Sequence, residues 1–153
     1  MNELMLPPPP YARRSVRYGV AMALFGLLIF ALGAKPGWFG LDRSQTTGFV
    51  QIAVFLVGLG LICLGGYFAL NGLWNGSPKT ILSDIGLRLA ATGYVIAVGT
   101  GMADVFGFGS QLWPVVPRFG WWQATGVMIG EVVIGIGFLL LIPFRRPEPE
   151  DED

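Results

Sequence analysis

From Gly120 to Phe144 the chain reads GWWQATGVMIGEVVIGIGFLLLIPF, an apolar run with one charge-capable side chain, Glu131, near its middle. As a helix the run is about 36 Å long, enough to cross the hydrocarbon core of a bilayer. A segment of this kind in lipid must satisfy its backbone hydrogen bonds internally, which leaves the helix as its form. Three further apolar runs share this character. The expected fold class is therefore all-α, an integral membrane four-helix bundle with spans at about 16–34, 48–73, 81–103 and 120–144. A Pro-rich leader, 1–15, precedes the spans, and an acidic tail, 145–153, follows them.

Composition removes several classes of function. With 53% hydrophobic and 13% charged residues there is little material for a soluble domain. Net charge is zero and no basic patch stands out, so nucleic acid is not an expected partner. The absence of histidine removes the usual axial ligand of haem and the commonest ligand of copper, iron or zinc. No cofactor and no metal are expected. The lone Cys63, inside the second span, reads as a small apolar residue. No Cys–His or Ser–His arrangement, metal-ligand cluster or phosphate loop supports catalysis, so an enzyme is not expected.

The leader carries Pro7 to Pro10, which favours an extended polyproline segment; Arg13 and Arg14 follow, with Arg17 at the start of the first span. Positive charge, an apolar run and Ala31-Leu32-Gly33 also fit a signal peptide with its cleavage site, but the run is long for that and three more follow. Pro36-Gly37 stops the first span, with Trp38 and Phe39 suited to an interface. Asn71-Gly72 ends the second, and Ser77 or Thr80 caps the third. The connection 104–119 is aromatic and proline-stiffened, and reads as lying on the membrane surface. Lys and Arg number seven on the leader, the second connection with its flank, and the tail, against three on the first and third connections. That bias places both termini in the cytoplasm.

Within the spans, Asp84 and Arg88 are one turn apart and suited to an interfacial ion pair. Gly93, Ala97 and Gly101 form a small-residue stripe, and Gly126 and Gly130 a GxxxG pattern, both surfaces for close helix packing. Gly48, Gln51, Gly58, Ile62 and Gly65 recur 72 positions later as Gly120, Gln123, Gly130, Ile134 and Gly137. Spans one and three align only with a small shift. A hairpin duplication would make this a parallel two-hairpin repeat; glycine-rich helices also produce such matches by chance. Leu59 is the counterpart of Glu131.

Glu131 is the one charge-capable group expected at depth, where a charged side chain costs about 2.5–3.5 kcal/mol. Counting from the helix ends puts Tyr94 near its level, with Thr92 and Thr100 within about a turn and a half. Two readings stay open. A neutral acid can tie helices or subunits together by a hydrogen bond, or the group can serve as a proton relay or quinone contact. A relay needs further partners; Asp104, at the end of span three, could serve only as an entrance.

Arg17-Tyr18-Gly19, Gly26 and Gly33-Ala34-Lys35 resemble the first span of the four-helix DoxX-type membrane proteins, a likeness the later spans do not share. It implies a membrane component of an oxidoreductase. The layout of the whole chain, with histidine-free spans, a Pro-rich leader and a short acidic tail, resembles small four-helix accessory subunits of bacterial respiratory or photosynthetic assemblies, such as those attached to alternative complex III. That resemblance implies a non-catalytic role in the bacterial inner membrane, among other integral membrane subunits of a hetero-oligomer. The alternative is a small proton-coupled transporter or channel acting as an oligomer through Glu131.

Overall fold

The computed structural model describes residues 10–40, 48–74, 78–108 and 119–143. The leader before Pro10, the aromatic centre of the third connection and the acidic tail lie outside the described residues. The described elements are α1 (Pro10–Ala34), a short 3-10 turn (Pro36–Phe39), α2 (Phe49–Leu73), α3 (Ile81–Gly101) and α4 (Trp121–Leu141). All four α-helices are long and apolar enough to cross a membrane, and no strand occurs among the described residues.

Local chemistry sets the ends. α1 begins at Pro10, earlier than the apolar run alone indicates, because proline lacks only an N–H that a first-turn residue would leave unpaired. Pro36 disfavours helical backbone at Lys35, which takes φ −139°, and Gly40 closes the following turn in the left-handed region at φ 67°. Thr80 caps α3, its Oγ1 accepting the Ser83 N–H at 3.3 Å. At the start of α4, Gln123 Oε1 accepts the Gly120 N–H at 2.7 Å. α3 stops at Gly101, and α4 stops at Leu141, just before Pro143.

The helices form two antiparallel hairpins, α1 with α2 and α3 with α4. Each is zipped by glycines that bring backbone against backbone. A Cβ on Gly58 would overlap the Phe30 backbone and approach Gly26 O, and one on Gly65 would overlap Ala23 and approach Gly19 O. In the second hairpin, a Cβ on Gly130 would lie 2.6 Å from Gly93 O and 2.8 Å from Ala97 N, and one on Gly137 2.6 Å from both Gly86 O and Ala90 N. The contacts correspond one for one. Residues of α2 match those of α4 at a separation of 72, and residues of α1 match those of α3 at a separation of 67. The shift between the odd-numbered helices is therefore five positions.

α2 joins the hairpins. The Tyr94 ring lies over Gly60, its hydroxyl donating to Leu56 O at 3.3 Å, and Phe138 lies over Gly66. At the far end, Trp74 Nε1 donates to Leu141 O at 3.0 Å. Ile52, Phe55, Leu56, Leu59, Ala97, Val127 and Ile134 fill the core between them. The α1 backbone runs close against α2 and approaches neither α3 nor α4 so closely. Outward faces carry Leu24, Val57, Val95, Val132 and Leu139, an apolar surface suited to lipid.

Candidate functional site

Glu131 sits at the midpoint of α4, one residue past Gly130. Because Gly130 is pressed against α3, the next position, about 100° around the helix, turns away from it. Glu131 instead lines a cleft of about 200 Å³ between α1, α2 and α4. Ala124, Val127 and Met128 continue the α4 wall, one to two turns nearer the helix start. Phe30, Gly33 and Ala34, from the last turns of α1, form the opposite wall. Phe55 of α2 closes the back. Its ring meets Phe30 edge-to-face at 5.9 Å and Phe119 likewise at 6.3 Å. The cleft thus runs from the end of the bundle near the α1–α2 loop to the level of Glu131. Its walls are apolar, and the carboxyl supplies its charge-capable group.

The polar neighbours expected at the level of Glu131 are not brought to it. Tyr94 belongs to the α2–α3 seam, where its hydroxyl is bound to Leu56 O. Thr92 is exposed and donates to Arg88 O at 2.8 Å. Thr100 donates to Ile96 O at 2.7 Å, and its methyl group faces Gly126. Depth along the helices was legible from counting, but azimuth was not. α3 turns its small face toward α4, which carries Tyr94 round to α2. No described residue hydrogen-bonds the Glu131 side chain. The cleft can therefore offer one carboxyl to an occupant, and among the described residues no second titratable side chain lines it.

The packing residues fall where their size indicates. Gly93, Ala97 and Gly101 are buried on α3, with Gly93 and Ala97 facing Gly130 and Gly101 facing Ile52, Leu56 and Val127. Asp84 and Arg88 pair at 2.9 Å on an exposed face, where such a bond contributes little. No group of three or more metal-ligating side chains occurs among the described residues, and Cys63 packs against the core.

Three features escape the sequence. Gln123 is 1% exposed, and its place three residues after Gly120 is a capping signal. Asp104 is 8% exposed, and its Oδ1 has no partner among the described residues; its position at a helix end gives no hint of that burial. The Phe30–Phe55–Phe119 wall joins residues far apart in the chain and has no local signature. No protein-family model, curated protein or solved structure matches the chain.

Proposed function

We propose that the chain is a multi-pass protein of the bacterial inner membrane and a non-catalytic accessory subunit of a larger electron-transfer complex, with both termini in the cytoplasm. The observation that carries this reading is how the polar groups within the spans are used. Tyr94, Thr100, Thr92 and Thr125 each donate to a backbone carbonyl, and none of them reaches Glu131. A proton path needs a succession of exchanging groups; here the three threonine hydroxyls close back on carbonyls of their own helices, and the Tyr94 hydroxyl ties α3 to α2. The broad apolar outward faces offer area for other membrane subunits as well as for lipid. The resemblance to small accessory subunits of respiratory and photosynthetic assemblies points the same way. The matched glycine contacts of the two hairpins support an origin by hairpin duplication, giving a parallel repeat.

Glu131 and its cleft favour a second reading, a small proton-coupled transporter or channel, and one set of measurements separates the two. Purification through a tag from native membranes in mild detergent should recover a stoichiometric heteromeric assembly containing redox-active subunits. Recovery of the chain alone or as a homo-oligomer, across several detergents, would sink the subunit reading. In the recovered assembly, Glu131→Gln should leave electron transfer unchanged, because an amide keeps a donor and an acceptor in similar shape. Full assembly with lost proton uptake would establish the transporter reading instead.

A further inference from the structure

The bundle is closed on one side and open on the other, and four positions of the closed side have counterparts that line the open one. On the closed side, where α2 meets α3, Gly101 rests against Ile52 and Leu56, with Leu59 buried one turn on. Shifted by 67 for the odd helices and 72 for the even ones, these four positions become Ala34, Ala124, Met128 and Glu131. All four line the open cleft between α1 and α4. The contact that Tyr94 makes on Gly60 has no counterpart here, since the equivalent residues are Leu27 and Val132, both exposed. The cleft is thus the unfilled counterpart of a packed seam. The buried leucine at its floor is replaced by a carboxylic acid.

We infer that this cleft is a binding site for a membrane-soluble amphiphile whose flat ring carries a carbonyl or hydroxyl oxygen. The ring would lie against the edge-to-face Phe30–Phe55–Phe119 wall, and its oxygen would meet Glu131. Each property of the occupant follows from the walls. An apolar cleft admits an apolar body. An edge-to-face aromatic row favours another ring. A carboxyl midway along its helix, with no hydrogen-bond partner among the described residues, gains a hydrogen bond from a guest that brings an oxygen within reach. The backbones of α1 and α4 stay apart, and Met128 is 60% exposed, so the guest would enter sideways from the lipid. The volume of about 200 Å³ accommodates a substituted ring and the start of its tail. The proposal requires the helices to cross a bilayer and is independent of which assembly holds the chain.

The test uses the purified full chain in lipid nanodiscs and decylubiquinone as probe, followed by quenching of tryptophan fluorescence. Decylbenzene, which has the ring and tail without the oxygens, serves as control. Wild type should show saturable quenching that decylbenzene does not compete. Glu131→Gln should bind within about threefold of wild type, because the amide still donates. Glu131→Leu and the cleft-filling Ala124→Phe should each weaken binding about tenfold or more, with helical content by circular dichroism unchanged. Equal competition by decylbenzene would make the cleft a general lipid groove and overturn the proposal. Wild-type binding by both Glu131→Leu and Ala124→Phe would place the probe elsewhere and also overturn it. So would cross-linking of Met128→Cys, in a Cys63→Ala background, to another polypeptide in native membranes, since a partner would then fill the cleft. That last outcome leaves the accessory-subunit reading standing, so the two fail separately.

Discussion

Gly130 has no room for a methyl group. A Cβ there would stand 2.6 Å from Gly93 O and 2.8 Å from Ala97 N, and these are backbone atoms of α3 that cannot swing aside. Alanine would therefore push α4 off α3. We expect Gly130→Ala to cost about 1–3 kcal/mol, the range for overpacking a tight contact. Gly99 and Gly135 are the controls, since a Cβ on either meets nothing within 4 Å. Gly99→Ala and Gly135→Ala should be neutral or stabilise by up to about 1 kcal/mol, because alanine loses less backbone freedom in a helix. Reversible unfolding in mixed detergent micelles, read by circular dichroism, measures all three variants. Equal stability of Gly130→Ala and Gly99→Ala would contradict the packing described here.

The hairpins and the seam between them differ in kind. Within a hairpin the contact is backbone to backbone and repeats along most of the helix length. Between hairpins it is knob into hole, with Tyr94 over Gly60, Phe138 over Gly66, and Trp74 Nε1 on Leu141 O. Removing a seam contact should loosen the association of hairpins and leave each hairpin whole. Tyr94→Phe loses one hydrogen bond. Its cost should stay near the low end of about 0.5–1.5 kcal/mol, since Leu56 O also faces the α2 backbone. Gly60→Leu is more severe, because even its Cβ would lie 2.7 Å from the Tyr94 hydroxyl and 3.1 Å from the ring carbon bearing it. We expect a loss of about 1–3 kcal/mol. Helical content should be retained. A fall in helical content to half or less would show that the hairpins depend on the seam.

For the whole molecule, the orientation across the membrane is the property most open to direct test. The excess of Lys and Arg on the leader, second connection and tail predicts that Met5→Cys and Glu150→Cys, placed in a Cys63→Ala background, are shielded from an impermeant thiol reagent outside intact cells. Ser110→Cys should be labelled. Labelling at either terminus would reverse the orientation, and with it the side from which the cleft is reached. The cleft runs from the α1–α2 loop end to mid-helix. If the termini are cytoplasmic, it lies in the outer half of the bilayer.

Much of the fold could be read from the residues alone, because hydrophobic length and turn chemistry act locally. Apolar runs of spanning length gave four helices, Pro36 and Pro143 bounded two of them, Thr80 capped a third, and the small residues of α3 and α4 marked the faces that touch. The place of Glu131 at the middle of its helix also followed from counting. Its surroundings did not. Whether Glu131 meets Tyr94 depends on the rotation of α3 and α4 about their axes, and that rotation is fixed by Gly93 and Ala97 seating against Gly130. The burial of Asp104 and the row of Phe30, Phe55 and Phe119 depend likewise on how separate helices come together. Sequence determined which segments are helices and how far along its helix each side chain lies, since both follow from the order of residues along one axis. Only the tertiary structure decided that α2 closes on α3 while α1 stands away from α4, because that is a competition between seams. Tyr94 and Gly60 fit together on one side, and on the other Leu27 and Val132 do not.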